Sequence, residues 1–143
     1  MIGNAEDAAL ALTRPSWAYM DEGSERICYL INDVVYKVQF RYGNVEELDS
    51  YDYLCRQVFP SNITIAQLTP WYIKDTVVIA AEYVKGQCVS ECYDAMLGLP
   101  CSEPGTCLDE ATADSIRNLG IMDLSYGNVI LRDNTYVIVD MEG

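Results

Sequence analysis

Asp123-Leu-Ser-Tyr-Gly-Asn128-Val-Ile-Leu-Arg-Asp-Asn-Thr-Tyr-Val-Ile-Val-Asp140-Met-Glu-Gly143 ends the sequence. Within it, Val129-Ile-Leu and Tyr136-Val-Ile-Val139 are short apolar runs rich in β-branched residues. The polar Arg132-Asp-Asn-Thr135 lies between them, so the stretch predicts an antiparallel hairpin. Asp123 and Asn128 precede that hairpin, and Asp140 follows Asn128 by twelve residues. Asp and Asn beside Gly are ordinary turn residues. A clean hairpin filling the interval nevertheless ties all three polar positions to one structural unit.

Upstream, residues 5–12 are alanine-rich and suit a short helix limited by Pro15. Residues 26–31 and 34–40 read as strands joined by Asn32-Asp33, a second hairpin. Asn44 is a candidate N-cap for a helix with Glu46 and Glu47 in its first turn. That helix carries Leu48, Tyr51, Leu54, Cys55 and Val58 at helical spacing and should stop before Pro60. Residues 67–73 and 76–83 predict two further strands around Lys74-Asp75. Signals weaken over 86–105, where a short helix is expected near 90–97. Residues 108–119 then read as a helix ended by Gly120. Helices and antiparallel strands in blocks make this an α+β chain.

A length of 143 residues suits one domain, or two small lobes sharing a hinge. No apolar run approaches the roughly 18 residues of a membrane helix, and the first residues lack the basic start of a secretory signal. A soluble, cytoplasmic protein without membrane association is therefore expected. Nine basic residues against twenty-two acidic ones give a net charge of -13, which repels nucleic-acid phosphates, so direct nucleic-acid binding is not expected. Six cysteines are present and no histidine. Cys28 and Cys55 lie in apolar segments and read as small core residues. Cys88, Cys92, Cys101 and Cys107 would be the ligands of a structural Zn²⁺, but they lack the tight Cys-x2-Cys spacing, which favours free thiols.

Taken together, Asp123-x4-Asn128, the hairpin and Asp140-Met-Glu142-Gly143 resemble the catalytic loop and metal-binding turn of the protein kinase-like superfamily, which includes the aminoglycoside phosphotransferases and small bacterial and phage-type kinases. The resemblance spans 23–143. Gly23-Ser24-Glu25-Arg26-Ile27-Cys28-Tyr29 looks like the end of a phosphate-binding loop running into its strand, and Val77-Val-Ile-Ala-Ala-Glu82-Tyr83-Val84 like the strand entering a hinge. It implies a single kinase-like domain: residues 16–84 form an antiparallel N-lobe sheet with one αC-type helix, and 85–143 a reduced, mainly helical C-lobe carrying a hairpin. It also implies roles. Lys37 would hold ATP phosphates and pair with a glutamate of the following helix, Glu47 first and Glu46 as the alternative. Gly23 and Ser24 would lie along the phosphates, and the backbone around Glu82 and Val84 would meet adenine. Asp123 would accept the proton of the attacked hydroxyl, and Asn128, Asp140 and Glu142 would hold Mg²⁺.

The sequence departs from the pattern in several places. Residues 20–25 offer one glycine and three carboxylates where the family's loop has several glycines, and Ile121-Met122 replaces the usual residues before the catalytic Asp. The chain also has too few residues for two full lobes. Two functions follow as expectations. One is ATP- and Mg²⁺-dependent phosphoryl transfer to a hydroxyl acceptor. The other is a catalytically inactive, acidic, kinase-like protein, an inhibitor or nucleic-acid mimic of viral origin that binds a host protein. In either case a protein partner or a second copy is expected to cover the reduced C-lobe.

Overall fold

The computed structural model describes residues 1–13, 21–22, 26–39, 43–121, 124 and 127–139. In chain order these form α1 (Ala5–Thr13), β1 (Asp21–Glu22), β2 (Arg26–Ile31), β3 (Val34–Gln39), α2 (Gly43–Cys55), β4 (Ile63–Ile65), β5 (Leu68–Ile73), β6 (Thr76–Glu82), β7 (Gln87–Glu91), α3 (Tyr93–Met96), a 3-10 turn (Pro104–Thr106), β8 (Cys107–Leu108), α4 (Glu110–Asn118), β9 (Val129–Arg132) and β10 (Thr135–Ile138). The architecture is mixed α+β. The chain divides into two units, Met1–Asp52 with Ala66–Tyr83, and Tyr53–Ile65 with Val84–Gly143.

The first unit is built on an antiparallel sheet of order β1-β2-β3-β6-β5. Its central hairpin turns at Asn32 and Asp33, whose φ angles of 51° and 61° are both left-handed, as a two-residue turn matched to strand twist requires. Alternation along β3 sends Tyr36 to one face, where it is fully buried with Tyr29, Ile31, Val78 and Ala80 against Ala8 and Ala11 of α1. Small alanines let the short helix lie close to the sheet. The first residues are tied down as well: Ile2 N–H donates to Thr69 Oγ1 at 2.8 Å, and the Trp71 indole N–H donates to the Ile2 carbonyl at 2.8 Å. Between these bonds Gly3 sits at φ +72°, and a Cβ there would come within 2.6 Å of the Tyr36 hydroxyl oxygen. Gly3→Ala is expected to destabilise the fold by more than about 1 kcal/mol, read as a lower urea midpoint at unchanged slope; an unchanged midpoint would show that this anchor is not strained.

In the second unit the sheet order is β4-β10-β9-β7-β8. β9 and β10 form a hairpin around Asp133 and Asn134, with φ of 49° and 64°. β4 adds to β10 in parallel, and β8 to β7 in parallel. The α4 helix is capped by Asp109, whose carboxylate accepts from the Thr112 N–H at 3.1 Å and from its hydroxyl at 2.5 Å. The Thr112 hydroxyl first, and its N–H as well, hold the Asp109 carboxyl below its ordinary range. Because the folded value is the depressed one, this cap stabilises fully above the unfolded value and is lost as pH falls below about 4. Asp109→Ala is expected to cost about 1 kcal/mol at neutral pH and correspondingly less under acid, measured by thermal unfolding at both pH values.

Several expectations are corrected. Residues 85–143 are not mainly helical, since the described ones among them supply four strands, β7 to β10, which β4 from earlier in the chain joins in one sheet. The helix expected near 90–97 is a single turn at Tyr93–Met96, because Ser90 and Glu91 belong to β7. Asn44 does not cap α2 but lies inside it, fully buried. Cys55 is exposed at the helix end rather than in a core, and Val58, beyond that end, is 92% exposed. The burial stripe of α2 is instead Asn44, Glu47 and Leu54, with Leu48 and Tyr51 half-buried.

Candidate functional site

β3 is an interior strand, flanked by β2 and β6, and this decides the environment of Lys37. Tyr36 faces α1, so alternation sends Lys37 to the opposite face, where Cys28 and Ile79 are its cross-strand partners. There α2 supplies Glu47. The Lys37 Nζ donates to both carboxylate oxygens, at 2.7 and 2.9 Å, with Lys37 only 6% exposed and Glu47 fully buried. A carboxylate without solvent needs such a partner, because burying an unpaired charge costs several kcal/mol. The pair expected from the sequence is thus formed.

Sequence reasoning missed the residue that docks the helix start. Asn44 Nδ2 donates to the Lys37 carbonyl at 2.8 Å and to the Val77 carbonyl at 2.9 Å, bridging β3 and β6 at the end of their pairing, whose last pair is Val38 and Val78. Two carbonyl acceptors fix which end of the amide points inward. Asn44 Oδ1 is buried with no hydrogen-bond partner among the described residues. Asn44 and Glu47 stand at i and i+3 on one helix face, a polar pair inside a helical burial stripe; that spacing is the signal a sequence reader has.

At the end of β6, Glu82 pairs with Gln67 through both backbone and side chain. Its N–H donates to the Gln67 carbonyl at 3.1 Å, and its Oε1 accepts from the Gln67 N–H at 3.0 Å. Val84 is buried. In the second unit, Ile121 and Leu124 are buried, and the Leu124 carbonyl accepts from the Glu91 N–H at 3.0 Å. Gly127 turns the chain at φ +97° into Asn128, whose carbonyl accepts from the Val139 N–H at 3.0 Å. The open end of the hairpin therefore sets Asn128 against the residue preceding Asp140. Gly23, Ser24, Asp123, Asp140 and Glu142 lie outside the described residues.

A second cluster of reactive side chains lies in the second unit. The sulfurs of Cys92, Cys101 and Cys107 are all within 4.8 Å of one another, and none is in a disulfide. Cys88, the fourth member of the set read from the sequence, is not among them. It stands on β7 four residues before Cys92, about 13 Å of extended chain away. The Ala95 N–H first, and Cys107 second, draw the Cys92 thiol below its ordinary value, while hydrogen bonding to Cys101 and Cys92 pushes Cys107 up to about 12. No helix among the described residues is long and apolar enough to cross a membrane.

No protein-family model matches the chain, and no curated protein matches it. Among solved structures it is similar to the streptomycin-ATP-APH(2")-IIa ternary complex, an aminoglycoside phosphotransferase, at 15% identity and a TM-score of 0.47, over 99% of this chain and 73% of that one. A likeness of that degree assigns neither family nor activity.

Proposed function

We propose that the chain is a minimal kinase-like phosphotransferase, binding ATP with Mg²⁺ and transferring the γ-phosphoryl group to a hydroxyl acceptor. The observation that carries this reading is the buried Lys37–Glu47 pair. Such a pair contributes little that well-packed apolar residues would not. Its presence on an interior strand is accounted for if a cation must be held ready for phosphate. Glu47 is then a positioning residue that keeps the Lys37 ammonium in place.

The remaining roles rest on the sequence pattern. Asp123 accepts the acceptor's proton as its oxygen bonds to γ-phosphorus and the bond to the departing ADP breaks. Gly23 and Ser24 lie along the phosphates, and backbone groups of Glu82 and Val84 meet the adenine edge. Asn128, Asp140 and Glu142 offer oxygen donors, the set a hard cation requires. Mg²⁺, when bound, neutralises charge on the phosphates, which matters in a chain of net charge -13. Calorimetric titration with ATP tests the reading: binding is expected with Mg²⁺, and is expected to be lost in EDTA and in Asp140→Ala. Identical titrations for the wild type and Asp140→Ala would overturn it.

A further inference from the structure

The cysteine cluster plays no part in the proposed phosphoryl transfer, yet three elements converge to build it. Cys92 follows β7 and caps α3, its sulfur accepting from the Ala95 N–H at 3.5 Å. Cys107 opens β8, and the parallel register pairs it with Ser90 on β7, two residues before Cys92. Cys101 comes from the loop between α3 and the 3-10 turn. That loop is held by Asp94, which accepts from the Ser102 N–H at 3.0 Å and from its hydroxyl at 2.6 Å. Cys92 is buried and the other two sulfur-bearing residues are half-buried.

The geometry points to a zinc-class metal site in which Cys92, Cys101 and Cys107 supply three thiolates to one thiophilic divalent cation and a solvent molecule takes the fourth position. Four ligands at tetrahedral angles with Zn–S near 2.3 Å place sulfurs about 3.8 Å apart. The three sulfurs lie within 4.8 Å of one another, so rotamer adjustments of a few tenths of an ångström each close the site. Three soft donors with no oxygen or imidazole among them favour zinc and its congeners over Mg²⁺ or Ca²⁺. Cys92 also lines a cavity of about 180 Å³ with Glu91, Glu110, Asp114 and Arg117, which gives solvent and ion an approach to the cluster on the Cys92 side.

The site would also serve a structural need. Between α3 and β8 the chain runs through a loop with little regular structure, and β8 has only two residues. One ion bound to Cys92, Cys101 and Cys107 fastens helix, loop and edge strand together, a staple of the kind small units use where their core is thin.

The test is a Co²⁺ titration of the reduced full chain in a non-thiol reductant, followed by absorbance. The expected result is thiolate-to-cobalt charge transfer with intense tetrahedral d–d bands, saturating at one equivalent and bleached by Zn²⁺. Cys92→Ser, Cys101→Ser and Cys107→Ser should each lose the saturating signal, whereas Cys88→Ser and Cys55→Ser should retain it. Circular dichroism of each variant separates loss of the site from loss of the fold. Absence of charge transfer in the wild type overturns the proposal, as does a folded Cys101→Ser chain that binds as the wild type does.

Discussion

Replacing Glu47 with alanine is expected to cost the fold about 3–5 kcal/mol, because the Lys37 ammonium is then buried without its carboxylate. Lys37→Met is expected to cost a similar amount for the mirror reason, since Glu47 is fully buried. For a domain whose whole stability is on the order of 5–15 kcal/mol, either change removes a large share. The Lys37→Met/Glu47→Leu double variant should behave differently. With both charges gone and volume kept, its stability is expected to return to the wild-type value or exceed it. Urea unfolding of the four proteins completes the cycle, and the coupling it yields should be large. Additive costs in the double variant would show that the two side chains are not energetically coupled. The Asn44 amide, which holds the Lys37 and Val77 carbonyls, is left intact in every arm.

Asp123→Ala is expected to lower kcat by roughly 10²- to 10⁴-fold, the range for loss of a positioned general base. Affinity for Mg²⁺-ATP should hardly change, because in the proposed roles Asp123 meets the acceptor hydroxyl and not the nucleotide. This split separates a catalytic residue from one that maintains the loop. The flanking anchors, Ile121, Leu124 and the Leu124 carbonyl bonded to Glu91, remain in the variant. Phosphorylation of a panel of hydroxyl acceptors, with nucleotide affinity measured in parallel, gives both numbers. A variant that loses affinity and turnover together would move Asp123 out of the acceptor role.

What the sequence made legible follows from how local each signal is. Both hairpins could be read because β-branched runs meet Asn-Asp or Asp-Asn turns, and those pairs adopt left-handed φ at Asn32, Asp33, Asp133 and Asn134. Lys37 and Glu47 were legible as partners through the kinase-like resemblance, which pairs a strand lysine with a glutamate of the helix that follows after a short connection. β4 was not: Ile63-Thr-Ile65 is three residues long, and its partner Tyr136–Ile138 lies some seventy positions later. β7 was missed because Gln87-Cys-Val-Ser-Glu91 shows a single large apolar residue, Val89, and only pairing with β9 and β8 makes it a strand. Asn44 looked like a cap because capping is the ordinary use of Asn before Glu-rich turns, whereas its amide is used by two strand carbonyls that no local pattern reveals. Reading the cysteines by spacing grouped four. The fold brings together three, since proximity of Cys92 and Cys107 comes from a parallel strand pairing across the sequence.

In the proposed function the buried lysine on β3 serves a nucleotide. Calorimetric titration of Mg²⁺-ATP into the wild type and into the Lys37→Met/Glu47→Leu double variant tests it most directly, because that variant is expected to be as stable as the parent. Saturable binding to the wild type, lost or weakened by at least about tenfold in the folded double variant, is the predicted result. Equal binding to both proteins, or no binding to the wild type, would contradict the account.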